Sequence, residues 1–309
     1  MVEQTAAFDI KIARIEQRMS NVQNSLTGKA PNFGEFPAPG GNFFTGHLQC
    51  EAVKYISELS AIFSISLDGI EHQKTLLKQQ QQKGLAPRER WENNALDIDF
   101  PSWAKRNPRP ILWIGGQQNN RGVSWVSSFA IDLVDALSTE RDIDTAFVLC
   151  SSGDAEDTIK PLTIIKQIII QLLMAHLDIV ASPENVKVLS IQRFERAENS
   201  PQAAFILLSS ILRMLEDADV HRNREIFLVI DRIDICLTPE TDDVRKAFLN
   251  TLKLLNIEFK SLRVILTSQK PAQSMKLLLG GKEHVTEVWI DTTYRLYTTE
   301  QLSVFDRQL

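Results

Sequence analysis

Five short apolar segments alternate with longer amphipathic stretches in the C-terminal two thirds of the chain. A short apolar segment between turn-forming residues is typical of a buried strand, whereas apolar residues three and four positions apart indicate a helix. The predicted strands are 111–114, 146–150, 226–230, 263–266 and 285–290, and the predicted helices are 123–137, 161–177, 203–215, 244–254 and 272–279. This alternation predicts an α/β domain at 110–309 with a mainly parallel five-stranded sheet and flanking helices.

The first 27 residues form a separate amphipathic segment. Apolar residues alternate at spacings of three and four along it, at Ile12, Ile15, Met19, Val22 and Leu26. This seam covers about two heptads, and a coiled coil is secure only over about three or four. Two interpretations stay open: the helix packs on its own chain, or residues 8–27 form a homo-oligomer through a short coiled coil.

Two linkers separate this segment from the α/β domain. Residues 28–46 are rich in proline, glycine and phenylalanine, and residues 84–109 carry further prolines. Both have the composition of irregular connections. Between them, residues 47–83 have the periodicity of one long helix, with its apolar side predicted at Val53, Ile56, Leu59, Ile62 and Phe63.

A glycine- and amide-rich loop follows the first predicted strand. Gly115 and Gly116 open it, and Arg121, Gly122 and Ser124 lie at its far end, where the next helix begins. Strand, glycine-rich loop and helix is the layout of a P-loop, in which backbone N–H groups and the helix N-terminus hold phosphate. A functional P-loop also needs the lysine and hydroxyl of G-x-x-x-x-G-K-[ST]. No alignment on Gly115 or Gly116 supplies both groups.

Two later strands end in polar residues that suit such a site. Asp231 follows the apolar segment 226–230, and Asp234 lies three residues further on in the sequence D-R-I-D. A carboxylate at the end of a strand is the Walker B arrangement, which holds Mg²⁺ directly or through water. The strand 263–266 runs into Thr267, Ser268 and Gln269. These three residues are candidates for sensing a terminal phosphate.

The order of these motifs and their residues resemble the NACHT-type STAND P-loop NTPases, especially the fungal group related to NOD-like receptors. The resemblance rests on Phe100-Pro-Ser-Trp103, Ile111-Leu-Trp-Ile114 with Gly116, Leu228-Val-Ile-Asp231 with Asp234 and Cys236, and Ile265-Leu-Thr-Ser268 with Pro271. It implies a P-loop NTPase fold over roughly residues 100–303, with ATP, ADP or GTP and Mg²⁺ as cofactors. In that family, winged-helix and repeat regions usually follow, so the chain is expected to be a truncated relative or part of a longer product.

The chain departs from the family pattern at several positions that serve the nucleotide or its hydrolysis. Gly122 and Val123 stand where the lysine and serine belong, Ile235 replaces the acid after Asp234, and Gln269 replaces an arginine. Losing the lysine and the hydroxyl removes charge stabilisation at the transferring phosphate. The resemblance therefore implies a degenerate, catalytically impaired domain with weak or no nucleotide binding, which serves as a scaffold or regulatory interaction module with protein partners.

Two other functions are retained as alternatives. In the first, the chain is a divergent NTPase switch that uses Arg121 with Ser124 or Ser127, and Asp231 and Asp234 as metal acids. In the second, it is a structural protein that self-associates through its N-terminal helix.

Composition and charge limit the ligands and the cell compartment that are expected. The 309 residues have a formal net charge of −5, which argues against general attraction to nucleic acid or anionic membrane. Lysines, glutamines and a histidine interrupt the most apolar stretch, 159–177, so no membrane span is expected. Three widely spaced cysteines suggest neither a disulfide framework nor a zinc site, and Cys150 and Cys236 are expected to be core residues. A cytoplasmic protein is the resulting expectation.

Overall fold

The computed structural model describes residues 43–82, 103, 110–116, 125–150, 159–218, 224–269 and 285–289. Its strands are β1 (Ile111–Gly115), β2 (Ile143–Leu149), β3 (Glu225–Asp231), β4 (Leu262–Ser268) and β5 (Val285–Trp289). Its α-helices are α1 (Phe43–Ile62), α2 (Leu67–Gln82), α3 (Trp125–Ser138), α4 (Pro161–Ala175), α5 (Leu177–Ala181), α6 (Ile191–Glu198), α7 (Pro201–Ala218), α8 (Ile233–Leu237) and α9 (Asp242–Glu258).

The five strands form one parallel sheet in the order β2-β3-β4-β1-β5. The interior strand β1 pairs with β4 through Trp113↔Leu266 and Gly115↔Ser268, and with β5 through Gly115↔Trp289. Every residue of β1 and β4 is buried, as expected for strands covered by helices on both faces. The predicted fold class is confirmed.

The predicted elements agree with the structure to within a few residues. The four predicted helices that lie among the described residues are α3, α4, α7 and α9, and the fifth, 272–279, lies outside them. Helices α5, α6 and α8 were not predicted. They have five, eight and five residues, which is too short for a helical period to be recognised.

The chain divides into two compact units. The first comprises the described residues within 1–69, 132–147 and 162–227, and the second those within 70–131, 148–161 and 228–309. In the first unit, α1 packs against α5 and α6. The ring of Phe63 lies 5.1 Å from that of Phe194, and the hydroxyl of Tyr55 donates to the carbonyl of Leu189. These contacts secure α1 to the body of its unit.

The single helix predicted over 47–83 is broken at Ser64. Its φ is 54°, and the N–H groups of Ser64 and Ile65 donate to the carbonyls of Ala61 and Ser60. This is a Schellman ending with serine in the position that glycine usually holds. Ser66 then caps α2 by accepting from the N–H of Gly69. The buried face of α1 runs through Ala52, Ile56 and Leu59, so Val53, predicted to be in the core, lies off that face with 41% exposure.

The edge strand β2 is closed by side-chain amides. Gln171 on α4 accepts from the Phe147 N–H (3.1 Å) and donates to the Phe147 carbonyl (2.7 Å). The side-chain amide of Gln73 on α2 donates to the carbonyl of Leu149 (3.0 Å). Unpaired edge strands are templates for adding another strand. The two glutamines satisfy three of the backbone groups with which such a strand would pair, namely the N–H and carbonyl of Phe147 and the carbonyl of Leu149.

The predicted oligomerisation segment, residues 8–27, lies outside the described residues, so self-association there stays a prediction. In the part of the chain that the structure describes, no helix has the length and apolar character needed to cross a membrane.

Candidate functional site

Hydrogen bonds fix both ends of β1. The indole N–H of Trp103 donates to the carbonyl of Pro110 (2.7 Å), directly before the strand begins, and the Trp103 side chain is buried. At the other end, the Gly116 N–H donates to the Ser268 carbonyl (3.2 Å). The start of the glycine-rich loop is thereby held against the end of β4. In parallel α/β sheets, ligands bind outside the carboxyl ends of the strands.

Asp231 ends β3 at the same edge and is completely buried. The hydroxyl of Thr267 on β4 donates to its Oδ1. Thr267 Oγ1 also accepts a hydrogen bond of 3.0 Å from the backbone N–H of Arg232. The threonine hydroxyl therefore joins the ends of β3 and β4 with both of its hydrogen-bonding functions in use.

Burial raises the pKa of the Asp231 carboxyl to about 6, because a charged carboxylate is disfavoured away from water. The hydroxyls of Thr267 and Ser127 and the charge of Arg232 act in the opposite direction, and the charge of Asp234 raises the pKa further. Ser127 is a buried residue in the first turn of α3. The helix that follows the candidate loop thus presents a hydroxyl to the acid at the end of β3.

Asp234 is engaged by a cation of the chain itself. Arg232 Nε and Nη2 donate to its Oδ1 and Oδ2 at 3.1 and 3.2 Å. The backbone N–H of Gln269 donates to Oδ1 as well (3.3 Å). Arg232 has a φ of 53°, which is uncommon for a residue other than glycine. Arg232 is the residue directly before α8, between the last residue of β3 and its side-chain partner Asp234.

Two buried cysteines adjoin the acids. The Cys150 N–H donates to the carbonyl of Asp231 (3.2 Å), and Cys150 and Cys236 are almost fully buried. The pKa of the Cys150 thiol is raised, first by its hydrogen bond with Cys236 and then by burial. Protonated, buried thiols are unreactive. Both residues are core residues, as the sequence predicted.

The structure brings together seven of the predicted site residues. Its strand ends place Gly115 and Gly116 beside Ser268, Asp231 beside Thr267, and Asp234 beside Gln269. The other three, Arg121, Gly122 and Ser124, lie outside the described residues.

Sequence reasoning missed Arg232. The sequence D-R-I-D does place a cation between two acids. The pattern does not show whether that cation faces solvent or binds one of the acids. Ser127 was named only in the NTPase alternative, because a serine in an apolar helix has no distinguishing pattern.

A P-loop fold implies Mg²⁺, and the residues at this edge do not fit it. Mg²⁺ requires oxygen ligands in near-octahedral geometry. Both carboxylate oxygens of Asp234 are held by a guanidinium group, and Asp231 Oδ1 is held by Thr267. Within the part of the chain that the structure describes, the buried Asp231 Oδ2 is the one oxygen of these two carboxylates without a hydrogen-bond partner, and a single carboxylate oxygen is far short of an octahedral ligand set. Among the described residues, no group of three or more His, Cys, Asp or Glu side chains is placed to hold a metal ion.

The structure defines an α/β protein with one parallel five-stranded sheet, in which Gly115 ends β1 and Asp231 ends β3 at the carboxyl edge of the sheet. The sequence profile described as "Nephrocystin 3, N-terminal" matches residues 95–269, more than half of the chain. The chain belongs to the nephrocystin 3 N-terminal family. This family match does not confirm the NACHT-type group that the motifs resemble, so that resemblance stays a prediction. Curated proteins give no match.

Solved structures that match this chain include three from Drosophila. The first is ORC bound to AT-rich DNA and Cdc6, with 8% identity, a TM-score of 0.30, and coverage of 83% of this chain and 61% of that one. The second is ORC bound to poly(dA/dT) DNA and Cdc6, with 10% identity, a TM-score of 0.34, and coverage of 86% and 36%. The third is ORC bound to GC-rich DNA and Cdc6, with 12% identity, a TM-score of 0.32, and coverage of 85% and 36%. This chain therefore spans less than two thirds of each.

Proposed function

We propose that the chain is a non-hydrolysing P-loop module, related to the NACHT-type STAND proteins, that acts as a cytoplasmic scaffold or regulatory interaction domain with protein partners. One observation carries the proposal: the two acids expected to hold metal are engaged by the protein itself. Thr267 holds Asp231 Oδ1, which leaves only the buried Oδ2 of that acid without a partner among the described residues, and Arg232 with the Gln269 N–H holds Asp234. Carboxylates engaged in this way do not orient a metal-bound nucleotide.

The position that would hold a water-activating acid supports the same conclusion. Ile235 follows Asp234 there, and its side chain can neither accept a proton nor orient water. Without hydrolysis, the function of the domain would depend on binding a partner and on changes of conformation. Switches whose states differ in their contacts with a partner work in this way.

Phosphate release from ATP and GTP by the purified chain tests this proposal. We expect the rate to equal that of Asp231→Ala and of buffer containing Mg²⁺. Turnover at an ordinary enzymatic rate, about 1–1,000 per second, that Asp231→Ala abolishes would refute it. An Asp243→Ala variant, which alters an exposed acid on α9, controls for the change in charge.

A nucleotide-binding switch is the second candidate, and the position of Ser127 favours it. Its hydroxyl faces Asp231 from the first turn of α3, and helix N-termini favour anions. Thermal melting with ATP, ADP or GTP separates the two candidates, because saturating ligand at about a hundred times its Kd stabilises a fold by roughly 2.7 kcal/mol. A shift abolished by Arg121→Ala would support this candidate, whereas an unchanged melting temperature at millimolar nucleotide would exclude it.

A further inference from the structure

The side chain of Arg232 lies against the two acids that the sequence predicts as metal ligands. It forms a two-bond fork with Asp234, and its charge also acts on Asp231. Side-chain exposures of 14% for Arg232 and 3% for Asp234 place the pair largely away from water. A guanidinium group keeps its charge at any physiological pH, so this positive charge is permanent.

We propose that Arg232 is a built-in counter-ion that replaces a divalent metal at Asp231 and Asp234, so that this edge of the sheet excludes Mg²⁺ and Mn²⁺. The inference rests on the proposed function only for the location of the site. It adds that ligand binding at this edge is independent of divalent metal.

Three constraints hold the guanidinium in place. The backbone of Arg232 adopts a left-handed conformation, its N–H donates to Thr267, and its side chain grips both oxygens of Asp234. Parallel N–H bonds from arginine to a carboxylate are among the strongest and most directional hydrogen bonds in proteins. A rotation that freed Asp234 for a metal would break this fork.

Electrostatic repulsion from Arg232 also disfavours metal binding at Asp234. A dication that reached the Asp234 carboxylate would lie next to a fixed positive charge. Such repulsion is poorly screened at a site with little exposure to solvent. The same positive charge compensates the carboxylate, and this removes the driving force for binding a metal.

Removing the guanidinium should create a metal site. Arg232→Gly is the variant of choice, because glycine adopts a positive φ without strain and keeps the N–H bond to Thr267. Arg232→Asn is the second variant, since asparagine also tolerates this conformation. Arg232→Lys keeps the charge, and Arg196→Ala removes an exposed arginine of α6 as a matched control.

The experiment titrates Mn²⁺ into the full chain and follows free Mn²⁺ by electron paramagnetic resonance, after circular dichroism has shown that each variant is folded. We expect no saturable binding to the unaltered chain, to Arg232→Lys or to Arg196→Ala at millimolar metal. Arg232→Gly and Arg232→Asn should show saturable binding at least about tenfold tighter than the weakest binding that the titration detects, a difference of about 1.4 kcal/mol. Adding Asp234→Asn to either variant should abolish the gain.

Two results would overturn the inference: Mn²⁺ binding by the unaltered chain that Asp234→Asn removes, or no gain in either folded Arg232 variant. The titration contains no nucleotide, so it is independent of the hydrolysis assay. Metal-independent turnover would refute the proposed function and leave this inference standing.

Discussion

The hydroxyl of Thr267 on β4 donates a hydrogen bond to the buried Oδ1 of Asp231 on β3, across neighbouring strands and 36 residues of sequence. This bond sets the state of the candidate site, since it holds the acid that a P-loop protein would direct to its metal. It also links the site to Arg232, whose N–H uses the same hydroxyl as acceptor.

Replacing Thr267 tests this link. Thr267→Val should destabilise the fold by about 1–3 kcal/mol, because the Asp231 carboxyl and the Arg232 N–H both lose a buried partner. It should also raise the pKa of Asp231 further, since the Thr267 hydroxyl lowers it. Urea unfolding gives the free energy, and Thr267→Ser, which retains the hydroxyl, should lie close to the unaltered chain. Equal losses in both variants would show that packing of the threonine methyl dominates.

Asp231 should make stability depend on pH. Its folded pKa of about 6 lies above the ordinary aspartate value of 3.8. The stabilising contribution of the protonated acid is therefore complete below pH 4 and is lost as the pH rises through 6. Two units correspond to a loss on the order of 3 kcal/mol.

Asp231→Asn, which can still accept from Thr267, should lack this dependence. Its stability relative to the unaltered chain should rise between about pH 4 and pH 6 and then stay level. Urea unfolding across this range measures the difference, with the exposed Asp243→Asn as control. A relative stability that stays flat with pH would contradict a raised pKa.

The glutamine on the edge strand makes a separate prediction. Gln171→Met keeps the side-chain length but leaves the N–H and carbonyl of Phe147 without their partner, so we expect a loss of about 1–3 kcal/mol. It should also promote self-association, because the edge of β2 becomes open to another strand. Unfolding and light scattering measure the two effects. Gln167→Met on the same helix is the control, and matching behaviour of the two variants would argue against a specific role for Gln171.

The break between α1 and α2 predicts opposite effects of glycine at two nearby serines. Ser64→Gly should stabilise the fold by roughly 1 kcal/mol, because serine has a φ of 54° there. Ser57→Gly, inside α1, should destabilise it by about 0.5–1 kcal/mol. Thermal melting of both variants decides, and a decrease at both sites would show that the break is not strained.

The sequence by itself determined the strands, four of the long helices and the acids at the end of β3. Periodicity and apolar runs are local properties that burial on both faces of a sheet imposes directly. It did not show the break at Ser64, since serine takes a left-handed conformation only when neighbouring carbonyls need capping.

Tertiary structure alone decided what the site residues do. Asp231 meets Thr267 because β3 and β4 are neighbours in the sheet, and Gln171 meets Phe147 across 24 residues because α4 runs beside the edge strand. Even the short D-R-I-D segment depended on the fold. Only a left-handed turn at Arg232 and burial of Asp234 join these two charges into one pair, because in an exposed chain water would compete for both.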